Sequence, residues 1–404
     1  MAIGLTELPT LHPVAGIRLA VAQAGVRYQN RYDVVLIACD EGTACAGVYT
    51  QNAFCAAPVV IAKQHMSNAS TRALLINSGN ANAGTGDAGM SAALACCSST
   101  AEALNCYQNQ VLPFSTGVIG ELLPAEKIQA VLPTLASQLD EDQWAAAARA
   151  IMTTDTVAKG VSAKINIAGQ QVTLTGIAKG SGMIRPDMAT MLGFIATDAV
   201  IEQSVLQDCL RQAVEQSFNR ITVDGDTSTN DACMLLASGQ SGVEVAVDSD
   251  AYQTFMDALK SLCLQLAQSI IRDGEGVTKF ISIVVEQGSD QQECLDVAYT
   301  IAHSPLVKTA FFASDPNWGR ILAAIGRAGL EQLKVEQISI FLDDVCIVER
   351  GGRAASYTEE QGQAVMSQEE ITIRVFLGRG HWSETVWTTD FSYDYVKINA
   401  EYRS

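Results

Sequence analysis

The segment KGSGMIRPDMATML (179–192) has the residue types that a self-cleaving peptide bond requires. Ala189 is small, so its carbonyl is open to attack by the hydroxyl of the following Thr190. An N→O acyl shift and hydrolysis would leave Thr190 as a chain terminus, and its free α-amine, with a pKa of ~7.7–8.0, can act as base for its own hydroxyl. An Ala-Thr pair also occurs in ordinary turns, and the pair alone leaves that alternative open. The pattern predicts a threonine nucleophile that works without histidine.

A glycine-rich stretch from Gly79 to Gly89 indicates a second kind of chemistry. Its residues 84–89 fit the GxGxxG spacing between a predicted strand and a predicted helix, which is the context of a dinucleotide site. However, no strand ending in an acidic residue follows about 20 residues later, and the extra residues 79–82 lengthen the loop. We therefore expect the wall of a pocket. A nucleotide-binding dehydrogenase is the alternative, and a nicotinamide-binding assay would separate the two.

The cysteines and histidines indicate neither a disulfide framework nor a metal centre. The eleven cysteines form no CxxC pair, and several lie in apolar runs such as ALACCSS, where cysteine behaves as a small core residue. The histidines lack metal-ligand spacing; they are His12, His65, His303 and His381. We expect reduced thiols, no metal and no resident cofactor.

The hydrophobic pattern predicts a mixed α/β or α+β protein with closely associated domains. Short strands alternate with turns up to residue 78, and a hairpin turns at Gly169-Gln170 just before the 179–192 segment. The strongest helix patterns are at 90–105, 205–219 and 251–273, a buried strand is predicted at 279–287, and the chain beyond 335 is rich in strands.

The composition bounds the kind of partner. Hydrophobic residues make up 48% of the 404 residues and charged residues 17%, which is typical of a well-buried globular protein. A formal net charge of -18 would repel a phosphate backbone or an anionic membrane, so we expect neither nucleic acid nor membrane as a partner. No apolar run approaches the ~18 residues of a spanning helix, and the N-terminus lacks the pattern of a secretory signal. The expected location is cytoplasmic.

Eight ordered segments resemble the glutamate N-acetyltransferases, or ornithine acetyltransferases, of the cyclic arginine pathway. The resemblance extends over almost the whole chain, and it favours self-cleavage of Ala189-Thr190 over an ordinary turn. The segments are NSGNANAGTG (77–86), PFSTGVIG (113–120), MTTDT (152–156), KGSGMIRPDMATML (179–192), TVDGDTSTND (222–231), RDGEG (272–276), DPNWGRI (315–321) and YDYVKINAEY (393–402).

The resemblance implies a processed enzyme with a layered fold. Cleavage between Ala189 and Thr190 would give an α fragment, 1–189, and a β fragment, 190–404, which assemble as an α₂β₂ heterotetramer. Thr190 would be the nucleophile. The implied fold is α/β, a layered sandwich of two β-sheets flanked by helices.

The resemblance also implies roles for residues outside the nucleophile. Thr116 and Gly117 correspond to the oxyanion hole, although STG taken alone indicates a turn. Five further positions correspond to substrate contacts: Thr153, Lys179, Glu275, Asn399 and Ser404. Thr154 is an alternative to Thr153 by spacing. This chain ends in Arg403-Ser404 where the family commonly has two threonines; serine keeps the hydroxyl, and Arg403 replaces a small polar residue.

The implied reaction moves an acetyl group from N2-acetyl-L-ornithine to L-glutamate through an acetyl-Thr190 intermediate. Whether acetyl-CoA is also a donor stays open, because no short motif separates bifunctional from monofunctional members. The alternative is a self-processing aminopeptidase or amidase, which would pass the acyl group to water. Assays with and without glutamate distinguish a transferase from a hydrolase.

Overall fold

The computed structural model describes residues 2–5, 7–185 and 191–401. The chain divides into two compact units. The larger unit comprises Thr6–Asn219 and Asp226–Ile270, and the smaller comprises Met1–Leu5, Arg220–Gly225 and Ile271–Ser404. The predicted cleavage point at Ala189-Thr190 therefore falls within the sequence of the larger unit.

The strands and helices of the described ranges follow in chain order. The strands are β1 (Ile17–Ala22), β2 (Val34–Cys39), β3 (Ala44–Tyr49), β4 (Ala73–Asn80), β5 (Val111–Val118), β6 (Lys159–Ile167), β7 (Gln170–Lys179), β8 (Leu192–Thr197), β9 (Ala232–Ala237), β10 (Phe280–Gly288), β11 (Ser339–Leu342), β12 (Val345–Glu349), β13 (Gly352–Arg353), β14 (Glu370–Phe376) and β15 (Trp382–Thr389). The helices are α1 (Ala57–Asn68), α2 (Gly86–Leu104), α3 (Ala125–Ser137), α4 (Trp144–Ala150), α5 (Gln203–Glu215), α6 (Asp250–Arg272), α7 (Gln291–Ala302), α8 (Pro305–Phe312), α9 (Trp318–Gly326), α10 (Glu359–Met366) and α11 (Tyr393–Ala400).

The larger unit is a sandwich of two sheets between helices, as the resemblance implied. One sheet has the order β1-β2-β4-β5 and the other the order β3-β9-β8-β7-β6. Their facing side chains form one core, in which the rings of Phe114 and Phe194 meet edge to face with centroids 5.2 Å apart. The opposite face of the first sheet packs against residues of α2 and α3. On the second sheet, a Cβ added at Gly176 would lie 2.9 Å from Leu262 of α6.

The strands around the 179–192 segment set the geometry of the site. The predicted hairpin is confirmed, because β6 and β7 are antiparallel and turn through Ala168 and Gly169, both at positive φ. β7 pairs with β8 in antiparallel register, and β8 pairs with β9 in parallel register. The first residue of β8, Leu192, therefore lies between Lys179 on one side and Ala232 on the other.

The smaller unit contains a third sheet, which the two-sheet prediction did not include. Its strand order is β13-β12-β11-β14-β10-β15, with β10 and β14 parallel. Buried side chains of α7 and α9 share a core with this sheet. The strand-rich sequence beyond 335 is thus confirmed. Asp290 caps α7 by accepting a hydrogen bond from the backbone N–H of Glu293 at 2.9 Å, which satisfies a group that the helix leaves unpaired.

Two local expectations differ from the structure. β4 continues to Asn80 and α2 begins at Gly86, so the loop predicted over 79–89 is confined to residues 81–85. Ser115-Thr116-Gly117, which taken alone indicated a turn, lies inside β5. Gly79 and Gly117 suggested turns, but in the structure they allow the two neighbouring strands β4 and β5 to approach closely. Among the described helices, none is both long and apolar enough to cross a membrane.

Candidate active site

Gly117 brings two strands of the larger unit unusually close together. It lies opposite Gly79 in the parallel pair of β4 and β5, where the register shifts. Its φ is +136°, and an added Cβ would lie 2.3 Å from the backbone carbon of Gly79. No other residue fits there without moving one of the strands. The neighbouring Thr116 is held at a fixed point on the strand and is only 9% exposed.

Lys179 joins two of the predicted site residues. It is the last residue of β7, and its Nζ donates to Oγ1 of Thr116 at 3.1 Å and to Oγ1 of Thr153 at 2.9 Å. The three side chains come from β5, from the segment after α4 and from β7, so the fold brings together residues up to 63 positions apart. Thr153, rather than Thr154, occupies the place beside the lysine. The structure thus brings together three of the residues to which the resemblance gave roles in the site.

Asp155 supports this cluster from within the protein. Its side chain is fully buried; Oδ1 accepts from Lys159 Nζ at 2.7 Å and from the Gly180 N–H at 2.8 Å, and Oδ2 accepts from the Thr153 N–H at 3.0 Å. Burial raises the pKa of this carboxyl, but the charges of Lys159 and Lys179 outweigh it and hold the pKa well below its usual range. An ionised Asp155 therefore fixes the backbone next to both Thr153 and Lys179.

Asp231 lies beside the start of β8. The N–H of the next residue, Ala232, donates to the carbonyl of Met191 at 3.0 Å, and the Asp231 carboxyl interacts with the Met191 backbone and with Ser228. Burial raises the pKa of Asp231 well above its usual range, although Ser228 and the charge of Lys179 act in the opposite direction. Its Oδ2 is buried and has no hydrogen-bond partner within the described ranges.

Asp155 and Asp231 lie in two of the eight segments that carry the resemblance, but the sequence predicts no role for either residue. Both aspartates adjoin residues of the site, and both are buried. Aspartate is rarely buried unless it is paired or functional. The signal available in the sequence was an acidic residue next to a strand of small and apolar residues, such as Asp231 before ACMLLA. That pattern indicates a buried carboxylate but not its partner.

Two predicted substrate contacts meet in the smaller unit. Glu275 follows α6 and is 6% exposed, and its Oε2 accepts from Nδ2 of Asn399 on α11 at 2.9 Å. The loop carrying Glu275 is tied to this helix, because Ser392 Oγ donates to the carbonyl of Gly276 at 2.6 Å. The Glu275 side chain is thus buried and held by a hydrogen bond, unlike the solvent-exposed acidic residues that follow many helices.

The remaining predicted site residues, Ala189, Thr190 and Ser404, lie outside the described residues, as does Arg403. The structure thus describes two groups of predicted site residues. One is Thr116, Gly117, Thr153 and Lys179 in the larger unit, and the other is Glu275 and Asn399 in the smaller one.

The glycine-rich stretch is packed by its own side chains. β4, α2 and β5 form a parallel crossover like that of a nucleotide site. However, Asn82 Nδ2 donates to the carbonyl of Gly89 at 2.9 Å and Thr85 Oγ1 donates to Oδ1 of Asn82 at 2.9 Å. A Cβ at Gly89 would lie 1.9 Å from the Thr85 hydroxyl, so this glycine makes room for a neighbouring side chain.

Comparison with known proteins decides the family. The ArgJ family model matches residues 18–404. The chain belongs to the ArgJ family. The arginine biosynthesis bifunctional protein ArgJ of Pseudomonas fluorescens (strain Pf0-1) is 57% identical, and that of Pseudomonas syringae pv. tomato is 56% identical, each over 100% of both chains. The crystal structure of the ArgJ protein of Bacillus halodurans superposes with a TM-score of 0.50 at 40% identity, over 52% of this chain and 99% of that one.

Membership of the ArgJ family confirms two predictions. The family named from the eight segments is the right one, and the chain is an enzyme of arginine biosynthesis, an acyltransferase. The match favours the transferase prediction over both the hydrolase and the dehydrogenase alternatives.

Proposed function

We propose that this ArgJ-family enzyme is a glutamate N-acetyltransferase that carries acetyl from N2-acetyl-L-ornithine to L-glutamate on Thr190. The observation that supports this most directly is the position of Lys179. It donates to Thr116 and Thr153 and is in register with Leu192, two residues after Thr190. A nucleophile at residue 190 precedes by two residues a strand that pairs with Lys179, and the ammonium group of Lys179 is hydrogen-bonded to two hydroxyl groups.

In the proposed mechanism, the chain first cuts itself at Ala189-Thr190. The Thr190 hydroxyl attacks the Ala189 carbonyl, and the peptide C–N bond breaks, which frees the Thr190 amine. Water then hydrolyses the resulting ester, which leaves Ala189 as a carboxylate and restores the Thr190 hydroxyl. The sheet pairing supports a cut after which the two fragments stay together, because β7 before the cut and β8 after it are hydrogen-bonded neighbours. The Bacillus halodurans chain corresponds to about half of this one over 99% of its own length, as one fragment of a cut precursor would.

Acetyl transfer then takes two steps. The Thr190 hydroxyl loses its proton to its own α-amine and attacks the acetyl carbonyl of N-acetylornithine; the amide C–N bond breaks and ornithine leaves with the proton. The amine of glutamate then attacks the acetyl ester, which restores the Thr190 hydroxyl and releases N-acetylglutamate. Thr116 and the Gly117 backbone stabilise the oxyanion of each tetrahedral intermediate, which is the term that usually contributes most to such reactions.

Substrate binding is assigned to the remaining predicted contacts. In the proposed site, Lys179 and Thr153 hold the carboxylate that both substrates share next to their reacting nitrogen. Glu275, positioned by Asn399, pairs with the side-chain amine of ornithine. Ser404 supplies a terminal hydroxyl. We also propose acetyl-CoA as a second donor, an α₂β₂ assembly of the fragments 1–189 and 190–404, and action in the cytoplasm.

Mass spectrometry of the intact protein tests the covalent route. The purified enzyme should separate in denaturant into fragments of about 20 and 23 kDa, which are the shares of 43.0 kDa in proportion to the two fragment lengths. N-acetylornithine alone should add one acetyl mass to the β fragment as an ester on Thr190 and release ornithine. Glutamate should then remove that mass. Acetyl-CoA in place of N-acetylornithine tests the second donor.

The Thr190→Ala variant is the control, since it should stay one chain and accept no acetyl group. An uncut wild-type chain with full activity would contradict the proposed nucleophile. Kinetics in which both substrates must bind before either product leaves would contradict the acetyl-enzyme. Acetyl loss to water at the same rate with and without glutamate would favour the hydrolase alternative.

A further inference from the structure

A cavity of about 350 Å³ lies in the larger unit beside the Lys179 cluster. This volume is near the lower end of the ~300–1,000 Å³ range of small-molecule sites, so the cavity is suited to an amino acid. Thr153, which accepts from Lys179, is one of its lining residues. The lining residues are Arg31, Tyr32, Arg149, Met152, Thr153 and Asp155.

Two guanidinium groups set the charge of this cavity. Arg31 comes from the loop between β1 and β2 and donates through Nη2 to the carbonyl of Met152; Arg149 comes from α4 and donates through Nη1 to the carbonyl of Ala145 at 3.3 Å. In the part of the chain that the structure describes, neither forms an ion pair. Most N–H groups of both residues are therefore available, since a guanidinium has five.

The one carboxylate that lines the cavity does not cancel this charge. The Asp155 side chain is fully buried and is already paired with Lys159 at 2.7 Å. Unpaired arginines are notable in a chain with a net charge of -18, where carboxylates are abundant. A pair of free, planar, bidentate donors in a small cavity matches the geometry of a carboxylate ligand.

The distances between functional groups in an amino acid indicate which carboxylate this is. The α-carboxylate is two bonds from the reacting α-nitrogen, so it must bind close to the oxyanion-hole residue Thr116, where Lys179 lies. In glutamate, the side-chain carboxylate carbon is three bonds from the α-carbon, whereas the α-carboxylate carbon is one bond from it. The side-chain carboxylate therefore extends away from the reacting nitrogen. Arg149 is exposed and Arg31 half-buried, as expected for the outer end of the site.

We infer that Arg31 and Arg149 form a subsite for the side-chain carboxylate of the acetyl acceptor. This rests on the proposed function, in which the acceptor is glutamate. Ornithine carries a cationic side chain, which the two guanidinium groups repel. The subsite therefore selects a dicarboxylic amino acid for the second half-reaction and gives no help to the donor in the first.

Steady-state kinetics of Arg31→Gln and Arg149→Gln test the subsite. Each variant should raise the KM for glutamate by roughly ten- to hundredfold, the loss expected for one hydrogen bond to a charged group. The KM for N-acetylornithine should rise much less. The wild type should prefer glutamate to the uncharged acceptor glutamine, and each variant should lose most of that preference. Arg149→Lys, which keeps the charge, should recover part of it.

The control is Arg211→Gln, which removes an exposed positive charge from α5 in the same unit, away from the cavity. It should change neither KM. Equal rises in both KM values would mean that the arginines hold the shared α-carboxylate, and unchanged values would mean that they bind no substrate; either result overturns the inference alone. If the wild type transfers no acetyl group to glutamate, the proposed function fails, and this inference with it.

Discussion

Replacement of Asp155 by asparagine should destabilise the protein by about 3 kcal/mol. The carboxylate is fully buried and is paired with Lys159, whose side chain is also fully buried. Removing one partner of such a pair costs about 3–5 kcal/mol, because the other charge stays in the interior. Asparagine keeps one oxygen that can accept from Gly180 or Thr153, so the lower value applies. For a unit of this size, ~2–4 °C per kcal/mol gives a fall in Tm of about 6–12 °C.

Differential scanning calorimetry of the wild type and of Asp155→Asn measures this fall in Tm. Asp40→Asn is the matched control, because Asp40 pairs with Arg18 at 3.1 Å and both side chains are about two-fifths exposed. An exposed pair contributes at most about 1 kcal/mol, so this variant should lose no more than a few degrees. The double variant Asp155→Asn with Lys159→Met should regain stability relative to Asp155→Asn alone, since it leaves no uncompensated charge.

The pH dependence gives a second measure of the same interaction. The folded pKa of Asp155 lies below its usual value, so its contribution is present above about pH 4 and is lost as the pH falls through the folded pKa. Wild-type Tm should therefore fall more steeply than that of Asp155→Asn below pH 4. If Asp155→Asn costs no more than Asp40→Asn, and the acid slopes coincide, the buried carboxylate does not hold this site together.

Three further changes test other parts of the structure. Thr116→Ala should lower kcat by roughly 10²–10³-fold, because it removes an oxyanion donor; an unchanged kcat would contradict that role. Burial raises the pKa of the Asp231 carboxyl, so the wild type should lose stability as the pH rises above about 4. Thermal melts of Asp231→Asn should not show that loss. Burial lowers the pKa of Lys308 to about 7, so wild-type stability should gain from this group as the pH rises from about 7 to about 10, and thermal melts of Lys308→Met should lack that gain.

The features that the sequence predicted well are those with a strong local signal. The helices α5 and α6 were predicted from their apolar faces, and the β6–β7 hairpin was predicted from its turn glycine. The site residues came from the resemblance, because no spacing rule connects Thr116, Thr153 and Lys179. Their contact arises only when β5 and β7 lie in facing sheets of the sandwich, and neither sheet order nor facing can be read from periodicity.

The features that the sequence did not predict depend on contacts between distant residues. Taken alone, Ser115-Thr116-Gly117 indicated a turn because glycine is common in turns. In the structure, position 117 requires glycine because Gly79 on the neighbouring strand approaches it closely. Asp155 and Asp231 lie in segments that carry the family resemblance, but their burial depends on how the strands pair around them. Arg31 and Arg149 are 118 positions apart, and only the fold makes them line one cavity.

The proposed cut at Ala189-Thr190 falls between two neighbouring strands of the second sheet, β7 and β8. In the order β3-β9-β8-β7-β6, cutting at Ala189-Thr190 assigns β3, β6 and β7 to one fragment and β8 and β9 to the other. The pairs β3·β9 and β7·β8 then hold the fragments together, and cutting the chain breaks no hydrogen bond within the sheet. Met191, the residue after Thr190 in the sequence, is held to the sheet because its carbonyl accepts a hydrogen bond from the Ala232 N–H. Residues on hydrogen-bonded strands are held more precisely than residues on loops, so we expect the pairing of β7 with β8 to keep Lys179 in place after the proposed cut.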